Sequence, residues 1–165
     1  MSVVNKLSAL VTNHNASPMV QNAVTVEGGR RREIVTSVAI ANGDNATSTY
    51  RLCRLMSHWR VSSIHVFNTA VTGAAINLGL SRTVADGGAA VAATAYASAQ
   101  SIATASALGV ESAFQNRTVD KIAQSVWADA GAAADTRLAY DLVATLSADA
   151  AAAGTLSVRV IYVID

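Results

Sequence analysis

The chain has 165 residues, a formal net charge of +1 and one cysteine, Cys53. That length is typical of about one domain, the small net charge gives no reason to expect nucleic-acid or membrane partners, and a single cysteine excludes an internal disulfide. Because 34 residues are alanine, a modest set of larger apolar side chains has to form the core. We expect no secretory signal and no membrane-spanning stretch, and therefore a protein made in a reducing cytoplasm.

The first 28 residues are predicted to form an extended arm, with the folded domain spanning residues 29–165. The arm has too few large apolar side chains to offset the entropy of ordering a core of its own. Val20, Val24 and Val26 give it β-propensity, so we expect a strand near its end that can add to the open sheet edge of a neighbour.

Gly28-Gly29 predicts a flexible joint after the arm, and Arg30, Arg31 and Arg32 follow it. These arginines are the only concentrated charge in the sequence. Two interpretations stay open: a solvated hinge, or a surface for an anionic partner. Together with Val20, Val24 and Val26 they are the candidate partner-binding residues.

Strands are predicted along the rest of the chain from alternating apolar and polar residues and from turn signals such as Asn42-Gly43. In the last strand Leu156, Val158 and Val160 share one face, and the apolar Ile161 and Val163 on the other face predict that the end of this strand is covered on both sides. The predicted strands are Glu33–Ile40, Ser48–Leu55, Val61–Phe67, Ala75–Leu80, a strand, turn and strand around Tyr96–Ala99 and Ile102–Ala105, Ala139–Leu146 and Gly154–Asp165.

One short helix is predicted within Asn116–Gly131, because Val119, Ile122 and Val126 recur at helical spacing after a possible cap at Thr118. About eight strands at these spacings predict an all-β fold, an eight-stranded jelly-roll sandwich.

No pattern of residues predicts catalysis. The three histidines, His14, His58 and His65, form no metal-ligand motif. The sequence contains no G-x-S-x-G elbow and no phosphate-binding loop with its lysine. We therefore predict no catalytic residues, no metal and no cofactor, and a protein that is not an enzyme.

Strand and turn motifs between residues 33 and 165 resemble those of the small jelly-roll cement, or decoration, proteins that cover the capsids of some tailed bacteriophages. The motifs are Ala41-Asn42-Gly43-Asp44, Ser48-Thr49-Tyr50-Arg51-Leu52, Val61-Ser62-Ser63-Ile64, Thr72-Gly73, Ile76-Asn77-Leu78-Gly79-Leu80, Asp86-Gly87-Gly88, Tyr96-Ala97-Ser98-Ala99, Tyr140-Asp141-Leu142 and Gly154-Thr155.

This resemblance implies a structural protein on the outer surface of a phage head that bridges and stabilises subunits of the major capsid protein. It also implies self-association, as a dimer or trimer at local symmetry axes. The location would be the virion surface, after synthesis in the cytoplasm of a bacterial host.

A glycan- or host-binding jelly-roll module of a virion is the alternative function. Such a module needs an aromatic platform, and only eight aromatic residues are present. The charge distribution adds a hint of contact between copies, because residues 1–82 carry a net +5 and residues 83–165 a net −4. Charge complementarity of this kind steers association.

Overall fold

A computed structural model describes residues 6–24 and 26–164, so residues 1–5, Thr25 and Asp165 lie outside the described part. Eight strands are present: β1 (Arg30–Ile40), β2 (Thr49–Met56), β3 (Arg60–Asn68), β4 (Ala75–Arg82), β5 (Ala90–Ser101), β6 (Ser106–Glu111), β7 (Ala139–Ala148) and β8 (Gly154–Ile164). Two short α-helices, α1 (Ala9–Asn15) and α2 (Val126–Asp129), and two 3-10 turns (Val84–Asp86 and Val119–Lys121) accompany them.

The strands form two four-stranded antiparallel sheets. Sheet A has the order β1-β8-β3-β6 and sheet B the order β2-β7-β4-β5. Consecutive strands up to β4 therefore alternate between the sheets, and β8 returns to lie between β1 and β3. This is the arrangement of an eight-stranded jelly roll, which confirms the predicted fold class.

The core lies between the two sheets, and the last strand contributes to its centre. Leu156, Val158 and Val160 face inward and are fully buried. Ile161 and Val163, which lie on the opposite face of β8, are also buried. The prediction that the end of this strand is covered on both sides is thus confirmed.

The prediction of an extended arm with a strand near Ala23 to Val26 is wrong for the described residues. Residues 9–15 form α1, whose N-cap Ser8 accepts a hydrogen bond from the Val11 amide. The amides of Val26 and Glu27 both donate to the carbonyl of Ala23 and close a turn there. These bonds are local to the segment, and none of them is made to a strand. The division into residues 1–28 and 29–165 stays a prediction.

Arg30, Arg31 and Arg32 begin strand β1 and do not form a hinge. They pair with Ile164, Val163 and Tyr162 of β8. The joint before them is close-packed rather than open: a side chain at Gly29 would collide with Val163 and with the carbonyl of Val24. Glycine is required there by this close approach.

The single helix predicted within Asn116–Gly131 is replaced by the 3-10 turn Val119–Lys121 and the one-turn helix α2. Helical spacing was misleading because Val119 and Ile122 point to solvent, with exposed fractions of 94% and 59%. Only Val126 of that apolar stripe lies in the core.

The strand, turn and strand predicted around Tyr96 and Ile102 have shifted boundaries. β5 continues to Ser101, Ile102 lies in the turn, and β6 starts at Ser106. The pairing of β4 with β5 is irregular, and a side chain at Gly79 would collide with the backbone of Ala92 and Ala93. Such bulges break the period of two on which the prediction relied.

Replacing Val158 by Asp is expected to prevent folding. Val158 is completely buried, and an unpaired buried carboxylate costs several kcal/mol against a total stability of about 5–15 kcal/mol. Thermal melting followed by circular dichroism measures the effect, with Val35→Asp on the exposed side of β1 as the matched control. A Val158→Asp protein that melts cooperatively like the control would contradict the core assignment.

Candidate interaction surface

The described residues contain no metal-binding cluster, and their one cysteine is not an activated thiol. They contain no group of three or more His, Cys, Asp or Glu side chains that could hold a metal ion. Burial raises the pKa of the Cys53 thiol to about 12, so this thiol is protonated and unreactive at neutral pH. None of the described helices is long and apolar enough to cross a membrane.

The ionisable groups in the outer face of sheet B are paired with one another. Asp141, which is buried, accepts hydrogen bonds from Arg51 Nη1 at 2.9 Å and from Arg54 Nε at 3.1 Å. Arg51 also donates to the carbonyls of Arg82 and Gly88. The cleft of about 150 Å³ beside Arg51 is therefore lined by groups that stabilise the fold, and it contains no candidate acid–base pair.

The two ends of the sandwich differ in the connections that they carry. The β1–β2, β3–β4, β5–β6 and β7–β8 connections meet at one end, here called the tip. The β2–β3, β4–β5 and β6–β7 connections, the start of β1 and the end of β8 meet at the other, here called the base. Every pair of neighbouring strands is antiparallel and joins an odd-numbered with an even-numbered strand, so successive connections fall at opposite ends.

The tip loops are short, consist mostly of small residues and are hydrogen-bonded to one another. Their two large apolar side chains, Val71 and Ile102, are buried. Their two charged residues accept hydrogen bonds from their own surroundings: Asp44 from the Ala41 amide and the Tyr50 hydroxyl, and Asp149 from the Ala46 amide. In the described tip loops no large apolar side chain is exposed.

Exposed large apolar side chains are concentrated at the base. Among the described residues, those exposed away from the base are Val35, Leu108 and Val110, which lie on edge strands. The exposed side chains at the base are Met56, Val84, Val91, Val119 and Ile122. The N-terminal segment (residues 6–24 and 26–29), which leads into the base at Gly29, adds the exposed side chains Leu7, Leu10, Val11, Met19, Val20, Val24 and Val26. Exposed large apolar side chains that are more frequent at one end make that end the candidate interaction surface.

Polar bonds fold the N-terminal segment while its apolar side chains remain in solvent. Asn13 Nδ2 donates to Asn22 Oδ1 at 2.7 Å, and Asn22 Nδ2 donates to Glu27 Oε2 at 2.6 Å. His14 Nε2 lies 3.1 Å from the same carboxylate oxygen. The hydrogen bonds from Asn22 and His14 lower the pKa of Glu27. No residue of α1 is buried, so this helix contributes nothing to the core.

Exposed positive charge follows this segment. Arg30, Arg31 and Arg32 are exposed, and within the described part of the chain their guanidinium groups take part in no hydrogen bond or ion pair. Several carboxylates at the base, in contrast, are already hydrogen-bonded within the chain: Glu27 to Asn22, Asp86 to Thr83, Asp120 to Thr118 and Asp135 to Ser57.

All six candidate residues from the sequence therefore lie at one end of the molecule. Val20, Val24 and Val26 are exposed on the N-terminal segment, and the three arginines follow on β1. Sequence reasoning missed Val84, Val119 and Ile122 at the same end. Val84 is a single apolar residue in a connection, and no periodic pattern in the sequence shows that such a residue is exposed. The helical spacing of Val119 and Ile122 predicted that both would be buried.

A buried ion pair holds the β6–β7 connection, which carries Val119 and Ile122. Arg117 Nε donates to Asp129 Oδ1 at 3.0 Å, Arg117 Nη2 bonds to the other carboxylate oxygen, and both side chains are buried. Arg117 also donates to the Val61 carbonyl of β3 at 3.1 Å, and the Tyr96 hydroxyl of β5 donates to Asp129 at 3.0 Å. Burial raises the pKa of Tyr96 well above its ordinary value, so the phenol keeps the proton that it donates.

The fold of this chain is similar to that of chains in solved phage capsid structures. A chain of the solved cyanophage Pam1 capsid asymmetric unit is similar to this chain with a TM-score of 0.55 and 17% identity, over 83% of this chain and 86% of that chain. A chain of the acidic stable capsid of Helicobacter pylori bacteriophage KHP30 has a TM-score of 0.40 and 11% identity, over 82% and 94% of the two chains. No protein-family model and no curated protein matches.

Replacing Asp129 by Asn is expected to lower the free energy of unfolding by about 3–5 kcal/mol, because it leaves the buried Arg117 charge uncompensated. Urea unfolding followed by fluorescence measures the change. Asp120→Asn, an exposed site in the same connection, is the matched control and should change the stability by about 0.5 kcal/mol or less. Equal stabilities of the two variants would show that the ion pair does not hold the connection.

Proposed function

We propose that this chain is a structural protein of a bacteriophage head, a cement or decoration protein that binds the outer surface of the capsid. The observation that carries this proposal is the concentration of large exposed apolar side chains and of exposed arginines at the base, opposite a tip whose two large apolar side chains are buried. A molecule whose two ends differ in this way attaches end-on, with its base on a partner and its tip in solvent.

The partner that fits the base is a surface with apolar contacts beside negative charge. Arg30, Arg31 and Arg32 provide the positive charge, and Val20, Val24 and Val26 with Val119 and Ile122 provide apolar contacts. We propose the major capsid protein as this partner, with each copy bridging and stabilising adjacent subunits. Each contact can be weak in such a lattice, because several contacts act on one copy at once.

The absence of a catalytic constellation from the described residues supports a structural role, as does the fold. A chain of a cyanophage capsid has a similar fold over 83% of the present chain. We therefore propose the virion surface as the location, synthesis in the cytoplasm of the bacterial host, and self-association as a dimer or trimer.

The glycan-binding alternative receives less support, because none of the eight aromatic side chains is exposed. Tyr96 and Tyr140 are buried, and the other six are half-buried. Trp59 stacks on Tyr162, with ring centroids 4.2 Å apart, and the two rings cover each other. Sugar rings bind to open aromatic faces, which this surface does not provide.

Deleting residues 2–28 is expected to weaken attachment to capsids while leaving the melting temperature of the isolated protein nearly unchanged. No residue described in this segment is buried, so its removal takes little from the core. Co-sedimentation with heads from which the protein has been stripped measures attachment. A truncated chain that binds as tightly as the full chain would contradict the proposed role of the segment, and a truncated chain that does not fold would show that the segment belongs to the domain.

Charge reversal of Arg30, Arg31 and Arg32 to Glu is expected to reduce attachment mainly at low salt. Exposed charges interact over about 30 Å at 0.01 M salt but only about 8 Å at 0.15 M. The same co-sedimentation, repeated over a salt series, measures this dependence. If the reversed variant and the unchanged protein lose attachment in parallel at every salt concentration, the arginines do not face an acidic partner.

A further inference from the structure

Strand β1 is the one uninterrupted sheet edge among the described residues. Four strands form edges: β1 and β6 in sheet A, and β2 and β5 in sheet B. Register shifts interrupt the pairing of β2, β5 and β6 with their neighbours. β1 pairs with β8 over all eleven residues without a shift. Because bulges twist an edge away from further pairing, β1 alone is regular enough to accept another strand along its whole length.

The sequence of β1 leaves its second half unprotected against pairing. From Ile34 to Ile40 it has no charge and no proline, the two usual devices that block an edge strand. Val35 is 67% exposed on the outer face. On the core face, Ile34, Thr36 and Val38 are only half-buried, because no strand lies beyond them.

We infer that this edge pairs with β1 of a second copy, antiparallel and across a two-fold axis at Ser37. In this register Ile34 lies opposite Ile40 of the second copy, Val35 opposite Ala39, and Thr36 opposite Val38. The half-buried core-facing side chains thereby gain apolar neighbours, and sheet A becomes one eight-stranded sheet that runs through both copies.

Repulsion between like charges favours the antiparallel direction. In this register Arg30 to Arg32 of one copy and Arg30 to Arg32 of the other lie at opposite ends of the pair, whereas a parallel arrangement would place them side by side.

A second copy fits this edge better than the N-terminal segment of a neighbour, because that segment is folded into α1 and the turn at Ala23. The pairing involves only about seven residues on each side, so it is a weak association in solution that strengthens when copies are held on a common surface. The inference rests on the edge alone and holds whether or not the chain attaches to a capsid.

Cysteine cross-linking of the purified full-length chain tests the register. Residues directly opposite in an antiparallel pair have Cα atoms about 4.5–5.5 Å apart, within reach of a disulfide. Ser37→Cys is therefore expected to form a disulfide-linked dimer under mild oxidation. Ala39→Cys is the matched control: it is exposed on the same face, but the two copies of residue 39 lie about 13 Å apart along the strands. The unchanged protein controls for Cys53.

Sedimentation over a concentration series tests the edge without oxidation. The unchanged chain should approach a dimer as concentration rises, and Val35→Lys should weaken the dimer at least tenfold. Leu108→Lys, at a 94% exposed site on the opposite edge of sheet A, should leave it unchanged. A chain that stays monomeric with no Ser37→Cys cross-link, equal cross-linking of Ala39→Cys, a trimer, or a loss of dimer only with Leu108→Lys would each overturn the inference.

Discussion

The buried pair of Arg117 and Asp129 ties the base of the molecule together. Arg117 donates to the backbone of β3 in sheet A, and Asp129 accepts from Tyr96 of β5 in sheet B. Two apolar residues of the right size could stabilise the fold as well as such a pair. The ion pair differs from an apolar contact because its hydrogen bonds are directional. They therefore fix the position of the long β6–β7 connection. Val119 and Ile122 are consequently presented to solvent by a connection anchored to both sheets.

A jelly roll with these features has two different surfaces for contact. The base offers exposed apolar side chains and exposed arginines, and the edge of β1 offers an unprotected strand at the side. In the account proposed here, the base attaches the molecule to a capsid and the edge joins it to a second copy. Contacts in two directions, each weak, hold a copy firmly when all are made at once.

Strands whose apolar and polar residues alternate could be predicted from the sequence. Segments whose apolar residues are exposed, and strands interrupted by bulges, could not. β8 was predictable because Leu156, Val158 and Val160 alternate with polar residues. The helix predicted around Val119 was wrong, because helical spacing does not tell a core stripe from a solvent-facing turn. The N-terminal segment was also mispredicted: Ser8 caps a seven-residue helix, a local signal too short to outweigh the β-propensity of the valines. The candidate residues Val20, Val24, Val26 and Arg30 to Arg32 do lie at one end, but the unbroken edge of β1 is visible only in the pairing of strands.

Fractionation of phage particles tests the central claim most directly. Heads are purified by density gradient from a lysate of the host in which the chain is naturally made, and their proteins are identified and counted by mass spectrometry before and after mild stripping. The account predicts that the chain is present in many copies per head and is released from the outside while the head remains closed. Intact heads that lack the chain, with all of it in the soluble fraction, would contradict the account.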